Sequence, residues 1–244
     1  MARPGRPVRL ELNAQRVTDA MHFYRTLFGW TSLPLHVPPW GSIPQIANGS
    51  RIFANEFMAM GSFAQPKWMI WFSADLEKAE VAIRKFGGNA GLGIYPLGDL
   101  GNLLDVSDPS GNRLSAISLN QEAPETDEPG DPCIAELWGP NASEHAEFYG
   151  AFLGLDVVPT PRGAMLTDGN APRIFMRNVT FDLPAPIWIP YFLSKGVGGD
   201  CERARRAGAV VQVHKEVVDN IGELVVLSDT AGAYFGLVDP SKTK

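Results

Sequence analysis

Phe23-Tyr24-Arg25-Thr26-Leu27-Phe28-Gly29 returns 125 positions later as Phe148-Tyr149-Gly150-Ala151-Phe152-Leu153-Gly154. Upstream, Glu11-Leu12 returns at the same shift as Glu136-Leu137. Downstream the shift drifts slightly: Trp68 and Phe72 recur as Trp188 and Phe192, and Gly87, Gly101, Asp108 and Gly111 as Gly208, Gly222, Asp229 and Gly232. Small loop deletions between two copies of one unit account for the drift. A repeat of this length is a duplicated domain rather than a solenoid, whose units run to roughly 20–50 residues.

Working outward, Val8 to Asn13 alternates strictly, with Val8, Leu10 and Leu12 on one face and Arg9, Glu11 and Asn13 on the other, as a half-buried strand does. Ala20, Phe23, Tyr24, Leu27 and Phe28 then lay an apolar stripe on a helix that Gly29 ends. The second copy has the stripe Phe148, Tyr149, Phe152 and Leu153, with Asn141 as expected N-cap and Glu144 three residues on. Extended segments follow at 33–37 and 51–60, and again at 155–159 and 173–180. A further strand-helix-strand passage comes next in each copy: Trp68 to Ser73, the stripe Leu76, Ala79, Ile83 and Phe86, and a last strand from Arg113 to Ser118. In the second copy Lys195 to Gly199 is glycine-rich, which predicts a frayed or displaced helix start.

At 244 residues the chain has room for two modest domains, each with a real core. The expected division is a first module over 1–119, a linker over 120–132 and a second module over 133–244. Glu122, Glu125, Asp127, Glu128 and Asp131 make that linker acidic, semi-extended and solvated by expectation. A net charge of −6 argues against nucleic acid. No stretch reaches the length of a membrane span, and Met1 to Arg9 has no apolar signal core, so a cytoplasmic setting is expected. Cys133 and Cys201 have no counterparts in the other copy and read as reduced structural thiols. No glycine-rich loop has a nucleotide-binding context.

These landmarks resemble the vicinal oxygen chelate superfamily, the group of glyoxalases, bleomycin-resistance proteins and extradiol dioxygenases. The resemblance rests on Phe23-Tyr24…Gly29 with Asp108-Pro-Ser-Gly-Asn112, and on Phe148-Tyr149…Gly154 with Asp229-Thr-Ala-Gly-Ala233. Trp188-Ile-Pro-Tyr-Phe192 is most similar to the two-module glyoxalase-like antigens and hydroxylase-type proteins. The resemblance implies an α+β fold of two tandem βαβββ modules, with curled half-barrel sheets and helices outside.

In metal-dependent relatives, a His or Gln of the first strand and a Glu of the last strand hold the ion. Those positions fall here on Arg9 and Ile134, and on Ser115 and Gly236. None is a usable ligand, so no metal and no cofactor are expected. Two residues beyond the first pair, Glu11 and Glu136 share the face of Arg9 and Ile134. They are candidate acid/base groups or off-pattern cation ligands, or else salt-bridged carboxylates paired with arginine. The expected inward set is Arg9, Glu11, Asn13, Ile134, Glu136 and Trp138. His36 and His214 could reach a cavity mouth, Trp40 could form a lid, and His22 and His145 read as surface residues.

The leading expectation is a metal-independent protein that binds a small organic molecule through Arg9, Glu11, Asn13, Glu136, Trp138 and His214, with sequestration or resistance as the role. One alternative is a glyoxalase-like lyase, isomerase or hydroxylase-type enzyme with Glu11 or Glu136 as acid/base. The other is a non-catalytic interaction module. The expected state is a monomer with an internal pseudo-dimer or a homodimer, with no nucleic-acid or membrane partner.

Overall fold

A computed structural model describes residues 4–37, 41–58, 66–121, 128–180, 183 and 186–242. In the first module the elements are β1 (Pro7–Ala14), α1 (Val17–Phe28), β2 (Thr31–Val37), β3 (Gly41–Asn48), β4 (Arg51–Met58), β5 (Lys67–Ser73), α2 (Leu76–Lys85), β6 (Tyr95–Pro96), β7 (Gly101–Ser107) and β8 (Arg113–Leu119). In the second they are β9 (Pro132–Gly139), α3 (Ala146–Leu153), β10 (Asp156–Thr160), β11 (Gly163–Asp168), β12 (Ala171–Asn178), β13 (Ile187–Leu193), α4 (Val197–Arg206), β14 (Val210–Val218), β15 (Gly222–Ser228) and β16 (Tyr234–Asp239).

The strands form two eight-stranded mixed sheets, ordered β2-β3-β4-β1-β5-β8-β7-β6 and β10-β11-β12-β9-β13-β16-β15-β14. Adding eight to each label of the first order gives the second, so the fold is α+β with two similar modules. Each module holds the βαβββ pattern twice, a finer repeat than the landmarks alone reveal. Within a βαβββ unit the last three strands form an antiparallel meander, and the first strand joins it in parallel: Leu10 faces Ala54 and Ile174 faces Ala135. The hairpin strands β3 and β11 lie between the two extended segments read from each copy.

By packing, the described chain forms two compact units that do not follow the sequence halves. One joins Met1–Val8, Met69–Glu125 and Ile134–Ile189; the other joins Arg9–Trp68, Thr126–Cys133 and Pro190–Lys244. In the first unit α2 packs on α3, and in the second α1 packs on α4.

The repeated landmarks close each unit. In the second unit the Tyr24 hydroxyl donates to Asp229 Oδ2 at 3.0 Å and accepts from Trp68 Nε1 at 3.0 Å. In the first unit the Tyr149 hydroxyl donates to Asp108 Oδ2 at 2.8 Å. Both aspartates also brace their own turns. Asp108 Oδ1 accepts from the Ser110 and Asn112 amides, and Asp229 Oδ1 from those of Ala231, Gly232 and Ala233. Burial, and then the neighbouring carboxylate, hold both tyrosines in the neutral donor form, far above the ordinary phenol pKa. Around Tyr24, the rings of Phe23, Phe28, Trp30 and Phe192 complete an aromatic core.

Three local expectations are corrected. Helix α4 starts in register with α2 despite its glycines, because Ser194 Oγ accepts from the Gly196 amide and donates to buried Asp200. Asn141 makes no side-chain cap; a 3-10 turn over Ala142–His145 precedes α3, and Asn178 of β12 accepts from the Ser143 amide instead. The end of the acidic stretch is not solvated. Asp131 is 1% exposed, pairs with Arg51 at 3.3 Å and accepts from Asn48 at 2.9 Å. Residues 122–127 of that stretch lie outside the described residues.

Candidate functional site

The alternation of β1 buries Leu10 and Leu12 completely on one face. The opposite face carries Arg9, which is buried, and Glu11 and Asn13, which are half-buried. Arg9 Nη2 donates to Asn55 Oδ1 on β4 at 2.7 Å, two residues along β1 from Glu11, the register partner of Asn55. Burial pushes the Arg9 pKa down, and the charge of Glu11 offsets this only in part. Two donors on this face, Arg9 Nε and Asn13 Nδ2, are buried without an acceptor. A buried donor with no partner costs about 1–3 kcal/mol.

The same strand of the second module is arranged differently. Glu136 is 1% exposed and forms a close ion pair with Arg177 of β12, Nε to Oε1 at 2.5 Å. The guanidinium stands over the rings of Phe175 and Trp138, at 5.3 and 6.0 Å. Trp138 is fully buried, and Ile134 is half-buried. The pairing with arginine that was one expectation for the two carboxylates is made at Glu136, with an arginine from a strand that sequence offsets did not link to it.

The late-strand positions also differ. Ser115 Oγ on β8 donates to Asp105 Oδ1 on β7 at 3.1 Å, and the Tyr95 hydroxyl donates to Asp105 Oδ2 at 2.9 Å. In the same unit Val8, Trp71, Leu103 and Ile117 form an apolar cluster with Tyr95 packed on it. At Gly236 on β16, a Cβ would run into the ring of Tyr191, its parallel register partner on β13.

No family model matches the chain. Proteins named "Putative glyoxylase CFP32" from Mycobacterium bovis and Mycobacterium tuberculosis are each 26% identical to it over 255 residues, covering 98% of this chain and 96% of theirs. Among solved structures, the Mn(II)-bound glyoxalase from Novosphingobium aromaticivorans superposes with a TM-score of 0.68 at 11% identity, over 100% of this chain and 87% of that one. The 2,3-dioxygenase LapB from Pseudomonas sp. KL28 gives 0.68 at 16% identity, over 98% and 93%. The chain has the vicinal oxygen chelate fold.

The residues that stand at the superfamily's metal positions do not make a ligand set. Arg9 is a permanent cation, Ile134 has no donor atom, Ser115 is committed to Asp105, and Tyr191 fills the space a side chain at 236 would need. Among the described residues no three His, Cys, Asp or Glu side chains converge as a metal site would require.

The histidines are scattered. His22 is exposed on α1, and His145 is half-buried with Nε2 at 2.7 Å from Ser110 Oγ. His214 is exposed on β14, the last strand of its sheet. The His36 side chain and Trp40, the expected lid, lie outside the described residues. Sequence reasoning missed Asn55, Arg177 and Tyr191, which reach the first- and last-strand positions from neighbouring strands. The one available signal was glycine at 236 where the other copy has Ser115. Elsewhere, a cavity of about 610 Å³ opens beside the first turn of α2, lined among others by Asp75, Glu77, Ile94, Asn102 and Ser118 and, among the described residues, by no basic side chain.

Proposed function

We propose that this chain binds one small organic molecule at the polar face of β1, and that it does so without a divalent metal. The observation that carries the reading is the contrast between the two copies of the opening strand. Glu11 and Asn13 are half-buried, whereas their counterparts Glu136 and Trp138 are 1% and 0% exposed. At those positions the second copy is closed to solvent, whereas the first keeps half-buried polar side chains beside the buried donors Arg9 Nε and Asn13 Nδ2. The mycobacterial glyoxylase-named relatives and the glyoxalase and dioxygenase neighbours are in keeping with a small-molecule role.

Asn13→Trp copies the second module's residue into the first and tests the location. A library of small organic compounds is screened by thermal shift against the full chain, with and without EDTA. Binding should survive EDTA and be lost in the variant. Binding that EDTA abolishes refutes the metal-free part, and binding that Asn13→Trp leaves intact refutes the site.

A further inference from the structure

The chemistry of the occupant can be read from what the β1 face lacks, on the premise that this face is the binding site. Arg9 is 8% exposed, and its guanidinium donates to a neutral amide oxygen, Asn55 Oδ1 at 2.7 Å. Its Nε–H has no acceptor. A buried guanidinium needs charge compensation as well as hydrogen bonds, since removing an ion from water costs several kcal/mol. Burial lowers the Arg9 pKa, and the charge of Glu11, two residues along the strand, offsets this only in part. Four residues along the same face, Asn13 Nδ2 is a second buried donor without an acceptor. Both unmet groups are donors, and one carries a positive charge.

We infer that the ligand is a small organic carboxylate with a second oxygen acceptor, its carboxylate held by Arg9 and its second oxygen by the Asn13 amide. Arginine presents several N–H groups in one plane, which suits a carboxylate better than a carbonyl or a hydroxyl. The Cα atoms of residues 9 and 13 are about 13 Å apart along an extended strand. The Arg9 guanidinium turns towards Asn55, the register partner of Glu11, which shortens the gap to residue 13 towards the length of a single-ring acid such as a hydroxybenzoate. Glu11, between the two, disfavours a second negative charge on the ligand, which sets a monoanion apart from a dicarboxylate.

The test uses 4-hydroxybenzoate, its uncharged amide and protonated benzylamine as probes, titrated calorimetrically into the full chain. The carboxylate should bind at least about tenfold more tightly than the amide, the scale of one charge-assisted hydrogen bond. Arg9→Gln should reduce that ratio to near one. Asn13→Asp is nearly isosteric and leaves Arg9 in place; by setting an acceptor where a donor is needed, it should weaken the carboxylate at least about tenfold and the amide much less. An amide or amine that binds as well as the carboxylate, and that Asn13→Trp blocks, overturns the anionic class while the site stands. If no probe binds at millimolar concentration, or if binding ignores Asn13→Trp, the site itself is wrong. Benzylamine binding that is indifferent to every β1 variant would point to the acid-lined cavity beside α2 and would also overturn the inference.

Discussion

Replacing Tyr24 by Phe should destabilise the protein more than replacing Tyr149 by Phe, although the two tyrosines are repeat counterparts. In the second unit the Tyr24 hydroxyl serves two buried partners, Asp229 Oδ2 and Trp68 Nε1. Its removal strips Asp229 Oδ2 of the donor that faces it and leaves the indole N–H without an acceptor. In the first unit Asp108 Oδ2 also accepts from Asn112 Nδ2 at 2.7 Å, so Tyr149→Phe leaves that oxygen bonded. The second copy has Ala233 where the first has Asn112 and therefore lacks this reserve. A hydrogen bond to a charged group contributes about 1.5–3 kcal/mol and an orphaned buried donor costs about 1–3. Tyr24→Phe should therefore cost about 3 kcal/mol and Tyr149→Phe about 1.5 kcal/mol. Urea unfolding followed by near-UV circular dichroism measures both, read as a shift in midpoint at constant slope. The sign with pH is also fixed. Burial raises the Asp229 pKa in the folded protein, and the Tyr24 hydroxyl lowers it, so losing the hydroxyl raises it further. The cost of Tyr24→Phe is then full where Asp229 is ionised in both proteins and shrinks as pH falls through the variant's folded pKa towards that of the wild type, the unfolded pKa being common to both. Equal losses for the two variants, or a Tyr24→Phe cost that grows on acidification, would refute this account.

Three further outcomes are expected. Gly236→Ala should lower stability by about 1–3 kcal/mol, since its methyl group meets the Tyr191 ring, and thermal melts of Gly236→Ala in a Tyr191→Ala background should show a much smaller loss. Arg177→Met should cost about 3–5 kcal/mol by stranding the Glu136 carboxylate, while Glu136→Gln combined with Arg177→Met recovers most of it; a double variant as unstable as the single one sinks the ion-pair argument. Burial raises the folded pKa of Glu56, so its ionisation opposes folding at neutral pH. Glu56→Gln should thus stabilise the protein relative to wild type at pH 7, with the gain fading on acidification towards the unfolded carboxylate pKa; a gain that increases on acidification would contradict it.

The fold was legible because its determinants are local and occur twice. The helix stripes, the left-handed glycines at 29 and 154 and the aspartate-led turns each specify a structure within a few residues, and the repeat marks them as architecture. What those landmarks do was not legible. Tyr24 and Asp229 are 205 positions apart, and nothing in either segment announces that the helix of one module supplies the donor for the turn of the other. The helix starts were misread for a similar reason. The compensation for Gly196–Gly199 comes from Ser194 and Asp200, a side-chain pair with no capping-box spacing. At the candidate site, alternation placed Arg9, Glu11 and Asn13 on one face correctly. It was silent on Asn55, Arg177 and Tyr191, because the sequence does not encode parallel register in any short pattern.

The position of the arginine decides which of the two repeated glutamates can act on a ligand. In the second module the cation comes from β12 and lies directly on Glu136, sandwiched against Phe175 and Trp138. A carboxylate in so close an ion pair is a poor proton acceptor, because protonating it would leave Arg177 buried without its counter-charge. In the first module the cation stands on the same strand as the glutamate, two residues away, and its guanidinium is turned to Asn55. Glu11 is half-buried where Glu136 is 1% exposed, and Arg9 Nε is without an acceptor. For a catalytic reaction, the half-buried Glu11 is the more accessible proton acceptor of the two. Glu11→Gln would then abolish turnover of any substrate found, and Glu136→Gln would act only through stability. Activity lost in folded Glu136→Gln protein and kept in Glu11→Gln would reverse the assignment and place the site in the module whose opening strand is filled.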